Sequence, residues 1–214
     1  MKHMVTLLAL LFTSTAHAQF ADDFNRADEL LNATSWTKAT GGASALLAVD
    51  NNQVESDGVE SARRLYTAPD QGSANMYAHA DVAGFTGRGN PRVASIVVRA
   101  QGDQDYLWIG VSNTGVVECG QRVANSDTTY FTAGGATNPD ALRIEAEGTN
   151  VRCYEDDGAG GWTLLETENS VSVFASETSA GLVTALGTDA VPLWDNYETG
   201  ALNADDGSLL LLDY

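Results

Sequence analysis

Two carboxylates, Glu145 and Glu147, lie two residues apart in an alternating segment, so a β-strand would place both on one face of a sheet. A pair of carboxylates on one face is the minimum needed to cleave a glycosidic bond by acid–base chemistry. His79 is the only histidine beyond residue 18, which limits acid–base catalysis near neutral pH. The residue types therefore allow a site that cleaves glycans, but the sequence offers few candidate acid–base residues for it.

Tyr106 and Trp108 are also two residues apart, on the strand face opposite Leu107, Ile109 and Val111. Flat aromatic rings on an exposed sheet face can stack on sugar rings at a low cost in entropy. This spacing predicts a carbohydrate-binding surface at Tyr106 and Trp108. The alternative is that both rings are ordinary core between two sheets, because the opposite face is equally apolar.

Acidic and aromatic residues recur near both ends of the chain beyond residue 18, in 22–24 and 194–198. If the first and last strands pair, Asp22, Asp23 and Asp195 lie close together. Because carboxylate oxygen atoms are the ligands that Ca²⁺ prefers, this arrangement predicts a Ca²⁺ site that holds the two ends together. The alternative is that these aspartates serve only turns, which favour this residue type. No contiguous calcium-binding loop occurs in the sequence.

The chain contains two cysteines, Cys119 and Cys153. Period-2 alternation places Cys119 on the same strand face as Val117, and Cys153 on the same face as Val151. In an oxidising compartment this predicts a disulfide between them. The alternative is two buried, unpaired thiols that act as small hydrophobic side chains.

Residues 1–18 resemble a secretory signal peptide, with Lys2 before an apolar run and small residues at Ala16 and Ala18. Cleavage there would leave Gln19 as the N-terminus of a secreted or periplasmic protein. Residues 19–200 then form one domain of ordinary size. Residues 201–214 form a leucine-rich tail, which is either an added edge strand or a segment that docks on a partner.

The chain is strongly acidic, with 29 Asp and Glu against 11 Lys and Arg and a formal net charge of −18. Such a surface repels phosphate backbones and anionic lipids, which argues against nucleic-acid and membrane partners. The charge indicates either solubility alone or attraction of cations such as Ca²⁺.

Short runs rich in valine, isoleucine, leucine, tyrosine and tryptophan alternate with turn residues, which is typical of an all-β sandwich. A turn or two of helix is expected only at residues 27–32. The predicted strands are 44–49, 52–56, 63–67, 74–82, 93–101, 105–112, 116–123, 140–147, 150–155, 162–168, 181–186 and 193–198.

Four segments in order, 20–28 with Trp36 downstream, 97–100 followed by Tyr106, 140–148 and 195–198, resemble exported concanavalin A-like or laminin G-like domains. The resemblance implies a jelly roll of two antiparallel sheets, one concave, with the ligand on the concave face or its rim. It leaves the function open, because the fold hosts lectins, adhesion modules, glycanases and polysaccharide lyases.

The same resemblance indicates which residues an enzyme of this fold would need. A glycanase of this fold would carry a third carboxylate where Thr149 stands, and residues 130–134, with Tyr130, resemble a lyase segment that lies nearer the end of the chain in that family. The leading hypothesis is therefore a non-catalytic domain that binds a polysaccharide or surface glycan. The alternatives are a polysaccharide-degrading enzyme, using Tyr130, His79, Arg99 and the Glu145/Glu147 pair, and an adhesive surface protein.

Overall fold

The computed structural model describes residues 19–31, 35–38, 46–57, 65–86, 93–112, 114–135, 137, 139–156, 158, 161–183 and 191–202. The predicted signal peptide and residues 203–214 of the predicted tail lie outside these ranges. Within them no helix has the length and apolarity needed to cross a bilayer.

The described part of the chain forms strands joined by turns, and every strand pair is antiparallel. The strands are β1 Gln19–Asp22, β2 Glu29–Leu30, β3 Thr37–Lys38, β4 Leu46–Asp50, β5 Gln53–Asp57, β6 Leu65–Thr67, β7 Met76–Thr86, β8 Val93–Gly102, β9 Asp105–Ser112, β10 Val117–Val123, β11 Ser126–Thr132, β12 Ala141–Glu147, β13 Asn150–Asp156, β14 Trp162–Glu168, β15 Gly181–Val183 and β16 Val191–Ala201.

These strands make two sheets, which confirms the predicted two-sheet sandwich. The nine-stranded sheet has the order β14-β13-β12-β7-β16-β5-β4-β2, and β1 pairs with β16. The seven-stranded sheet has the order β11-β10-β9-β8-β15-β6-β3. The sandwich core forms where the apolar faces of the two sheets meet.

Strand β12 illustrates how alternation builds this core. Leu142, Ile144 and Ala146 are fully buried against the other sheet, whereas Arg143 and Glu145 point to the opposite face. This is the division that the alternating sequence predicted. Strand β12 thereby contributes one face to the core and presents its other face on the outside of the sheet.

The short strands are where the sequence prediction was incomplete. Each of the twelve predicted strands has a counterpart, but Glu29–Leu30, inside the segment 27–32 expected to be helical, forms strand β2 instead. Edge strand β11 was missed because Ser126, Asp127, Thr128 and Thr129 lack an apolar alternation. The β11 segment forms a strand because it pairs with β10, although its own residues have no clear β-strand pattern.

The two ends of the described chain pair as predicted, with β1 antiparallel to β16 from Gln19↔Gly200 to Asp22↔Tyr197. Around this junction Trp36 packs edge-on against Phe20 at 5.6 Å and against Tyr197 at 4.8 Å between ring centroids. The Trp36 indole donates a hydrogen bond of 2.8 Å to Asp22. An aromatic cluster therefore fastens the terminal strands.

A bulge in β16 sets the direction of its side chains. Asp195 pairs with Asp81 and Glu198 with His79, so β16 carries one residue more than β7 over this stretch. Asn196 takes up the extra residue with a φ of 46°. As a result Tyr197 is buried in the core while Glu198 points outward.

Candidate ligand-binding site

The outer face of the nine-stranded sheet carries an ordered array of polar and aromatic side chains. Antiparallel register places residues of neighbouring strands directly opposite one another on this face. One row across five strands comprises Leu164, Tyr154, Arg143, His79 and Glu198. The row on one side comprises Trp162, Asp156, Ala141, Asp81 and Asp195, and the row on the other comprises Thr167, Arg152, Glu145, Tyr77 and Gly200.

Three of these side chains form an aromatic strip: Tyr77, His79 and Trp162. The Tyr77 and His79 rings are stacked, with centroids 6.3 Å apart and planes at 11°. Trp162 lies 5.8 Å from His79 at 54° and is 40% exposed. Trp162 is the ring of this strip that is exposed to solvent, whereas the Tyr77 and His79 rings are half-buried beside it. An exposed aromatic ring on a rigid sheet is a surface on which a sugar ring can stack.

Charged side chains border the strip. The Arg143 guanidinium lies 4.3 Å from the Tyr77 ring centroid, and its Nε donates a hydrogen bond of 2.9 Å to Glu145. Glu145 also accepts hydrogen bonds of 3.0 Å from Arg152 and from the Tyr154 hydroxyl. Glu147 accepts one from Arg152. This network holds the polar groups in one geometry beside the rings.

Glu198 closes the strip on the β16 side. Its carboxylate accepts hydrogen bonds from the Tyr77 hydroxyl and the Gln19 side chain and lies 3.8 Å from Nε2 of His79. Burial raises the pKa of Tyr77, and the Glu198 carboxylate raises it further. Tyr77 is therefore a neutral hydrogen-bond donor at any ordinary pH.

Gly200 allows this arrangement. A Cβ at position 200 would lie 3.1–3.3 Å from the Tyr77 ring and hydroxyl. The absence of a side chain at Gly200 lets the Tyr77 ring lie close over β16 and reach Glu198.

His79 is expected to make stability pH-dependent. Burial lowers its pKa from 6.5, and Arg143 lowers it further, against opposing effects of Glu198 and Asp81. The unfolded chain therefore binds the proton more readily, so the free energy of unfolding falls as the pH drops below the unfolded value of 6.5. Denaturant melts at about pH 7 and about pH 5 should show a smaller loss for His79→Gln than for the unmodified protein. Equal losses would contradict a neutral His79 in the folded state.

The predicted binding pair, Tyr106 and Trp108, lies on the other sheet. As predicted, both rings point away from Leu107 and Ile109, which are in the sandwich core. However, Tyr106 is only 1% and Trp108 only 3% exposed, and both pack in a small cluster with Val97 and others on the outer face of the seven-stranded sheet. Neither ring offers a stacking surface in this structure, and their role in ligand binding stays a prediction.

The three aspartates predicted to bind Ca²⁺ have different partners. Asp22 bonds to Arg26 and Trp36 within the terminal cluster. Asp195 lies near Asp23 and Asp81, and burial and then these two carboxylates raise its pKa. No group of three or more metal-ligating side chains is placed to hold an ion in the part of the chain described. A Ca²⁺ site at Asp22, Asp23 and Asp195 thus stays a prediction.

The residues proposed for catalysis do not converge. His79, Glu145 and Glu147 lie on the outer face of the nine-stranded sheet, whereas Tyr130 lies on edge strand β11 and bonds to Gln121. Arg99 is fully buried, and its Nε donates a hydrogen bond of 2.8 Å to the carbonyl of residue 74. Both glutamates are already paired with guanidinium groups.

The two cysteines point into the core from opposite sheets, Cys119 from β10 and Cys153 from β13. They are free thiols here, close enough to hydrogen-bond, and burial followed by this contact raises the pKa of Cys153. The predicted disulfide is therefore not formed in this structure, although its two sulfur atoms are neighbours.

Sequence reasoning missed Tyr77, Trp162, Arg143 and Glu198 as site residues. Their signal was present in part, because the outward positions of 76–82 and 143–147 all carry an aromatic or charged residue. What was lacking was the order of the strands that places these segments side by side.

No protein-family model and no curated protein sequence matches this chain. Solved structures do match. The carbohydrate-binding module CBM66 from Bacillus subtilis has a TM-score of 0.54 at 18% identity, covering 77% of this chain and 96% of the module. The GH43 protein BlXynB from Bacillus licheniformis, a K247S mutant, has a TM-score of 0.58 at 12% identity, covering 85% of this chain and 39% of that protein.

The exoplasmic/lumenal domain of VIP36, in its metal-free form, has a TM-score of 0.55 at 11% identity, covering 80% of this chain and 87% of that domain. The VIP36 domain is also known with Ca²⁺ and the glycan Man3GlcNAc bound. Sequence identities this low show a shared fold and do not show a shared function. This chain accordingly has the concanavalin A-like jelly-roll fold that carbohydrate-binding modules and lectins share.

Proposed function

We propose that this protein is an exported, non-catalytic carbohydrate-binding domain that holds a polysaccharide or surface glycan on the outer face of its nine-stranded sheet. The observation that carries the proposal is the aromatic strip, in which the exposed Trp162 extends the stacked pair of Tyr77 and His79. The similar solved structures named above include a carbohydrate-binding module and a glycan-bound domain, which supports the same class of ligand.

The polar border of the strip suits the hydroxyl groups of a sugar. Glu145, Glu147 and Glu198 supply acceptors, and Arg152 supplies donors through the N–H groups that its two carboxylate partners leave over. Because these groups are held by one another, little side-chain entropy is lost when a ligand binds. An aromatic floor with a few fixed polar groups is the usual composition of a carbohydrate site.

Trp162→Ala is expected to weaken glycan binding by at least about tenfold, or about 1.4 kcal/mol, because it removes the exposed end of the strip. Affinity electrophoresis against a panel of plant and marine polysaccharides would identify the retained glycans and measure this loss. Stability should change little, since Trp162 is exposed. Leu30→Ala is the control, because Leu30 is 39% exposed on β2 at the opposite edge of the same sheet.

The same incubations distinguish binding from cleavage. We expect no new reducing ends and no rise in the ultraviolet absorbance of unsaturated sugars. Turnover that disappears in Tyr130→Phe or Glu145→Gln would overturn the binding proposal in favour of a polysaccharide-degrading enzyme. If Trp162→Ala leaves glycan retention unchanged, the binding site lies on another surface, such as that of Tyr106 and Trp108.

A further inference from the structure

The charges around the aromatic strip are strongly unbalanced. Among the described residues, the outer face of the nine-stranded sheet carries two guanidinium groups, those of Arg143 and Arg152. On β7, β12, β13 and β16, the four strands that surround the strip, the same face carries six carboxylates: Asp81, Glu145, Glu147, Asp156, Asp195 and Glu198.

Both guanidinium groups are already engaged by carboxylates. Arg143 pairs with Glu145 at 2.9 Å, and Arg152 pairs with Glu145 at 3.0 Å and also with Glu147. An incoming sulfate or uronate would have to compete with these fixed partners. The two arginines therefore offer an anionic ligand little attraction.

The carboxylates nearest the strip are not neutralised by a guanidinium group in this way. The Glu198 carboxylate lies 3.8 Å from Nε2 of His79, and burial lowers the pKa of that histidine, which favours its uncharged form. Asp81 lies opposite Asp195, and neither makes an ion pair with an arginine or lysine of the described chain. The potential over the strip is therefore negative, in line with the formal net charge of −18 for the whole chain.

We infer that the strip selects glycans by charge, binding sugars that bear free amines most tightly, uncharged sugars less tightly, and uronate or sulfated sugars weakly. This inference rests on the proposed function and adds the chemical class of the ligand. The aromatic rings supply stacking that every sugar can use, and the carboxylates decide which sugars stay. An ammonium group beside Glu198 and Asp81 gains attraction, whereas a carboxylate in the same place is repelled.

The test compares three hexasaccharides that share the β-1,4 linkage and differ in one substituent of each ring: glucosamine, with an ammonium group at C2, glucose, which is uncharged, and glucuronate, with a carboxylate at C6. Calorimetry at about 20 mM salt and about pH 6 should give glucosamine binding several-fold tighter, and glucuronate binding about tenfold weaker, than glucose binding. Raising the salt to about 0.5 M should bring the three affinities together, because exposed charges are then screened.

A paired substitution locates the effect. Asp81→Asn combined with Asp195→Asn should reduce the advantage of glucosamine and strengthen glucuronate binding, leaving glucose binding nearly unchanged. Glu118→Gln on β10 is the matched control, since it removes one negative charge from the other sheet. Double replacement that changes all three affinities alike would show that the carboxylates support the fold rather than select the ligand.

The outcomes separate the two proposals. If glucuronate binds as well as or better than the others and Trp162→Ala still abolishes binding, the charge selection is wrong and the carbohydrate-binding site stands. If none of the three is retained at millimolar concentration, both the site and its selectivity are overturned for β-1,4 glycans.

Discussion

Trp36→Ala is expected to lower the free energy of unfolding by about 3–5 kcal/mol, the usual loss for a buried tryptophan. Trp36 is 2% exposed and lies at the centre of the cluster that joins β1 to β16, in contact with Phe20, Phe24 and Tyr197. Its removal leaves a cavity between the terminal strands. The substitution also removes the hydrogen bond that the Trp36 indole donates to the Asp22 carboxylate.

Urea melts monitored by far-ultraviolet circular dichroism would measure this loss. Trp36→Phe is the matched variant, because it keeps a ring but lacks the indole N–H, and it should cost less than half as much as Trp36→Ala. If both variants unfold at the same urea concentration as the unmodified protein, the aromatic cluster does not fasten the ends of the domain.

The second large effect concerns Cys119 and Cys153. Protein recovered from an oxidising compartment is expected to carry a disulfide between them, linking β10 of one sheet to β13 of the other. The bond would close a loop of about 35 residues and raise the free energy of unfolding by about 3–4 kcal/mol in the chain-entropy account. The two thiols already lie beside each other inside the core, so the bond would join neighbouring side chains.

Two measurements check this. Thiol labelling of the unfolded, unreduced protein should find no free thiol, and a reductant should lower the melting temperature. The double variant Cys119→Ala, Cys153→Ala is the control, since a reductant should leave its melting temperature unchanged. Two labelled thiols in the exported protein would show instead that the pair acts as buried hydrophobic residues.

Much of the fold follows from local pattern. In β12 the alternation of Leu142 and Ile144 with Arg143 and Glu145 already assigns each side chain to the core or the outer face, because successive residues of a strand point to opposite sides. The same rule turns Cys119 and Cys153 inward, as the structure shows. The recurrence of acidic and aromatic residues at the two ends correctly predicts that β1 pairs with β16.

The local rule fails where a strand bulges. Strict alternation would place Asp195 and Tyr197 on the same face of β16. The extra residue at Asn196 separates them, so Tyr197 joins the core and Glu198 joins the aromatic strip. A bulge is stabilised by the partner strand, so a single segment read alone does not reveal it.

The sequence by itself determined the all-β class, the strand faces and the pairing of the chain ends, because these depend on periodicity and residue type. Only the tertiary structure decided which residues form a site. The hydrogen bond between Tyr77 and Glu198 joins positions 121 residues apart in the sequence. Trp162 reaches His79 only because the strand order β14-β13-β12-β7 places both residues on the same face of one sheet. Likewise, Tyr106 and Trp108 have the spacing of a binding surface, yet packing buries them. A strand's period sets which way a side chain points, whereas its neighbours and its exposure depend on strand order and register, which long-range contacts establish.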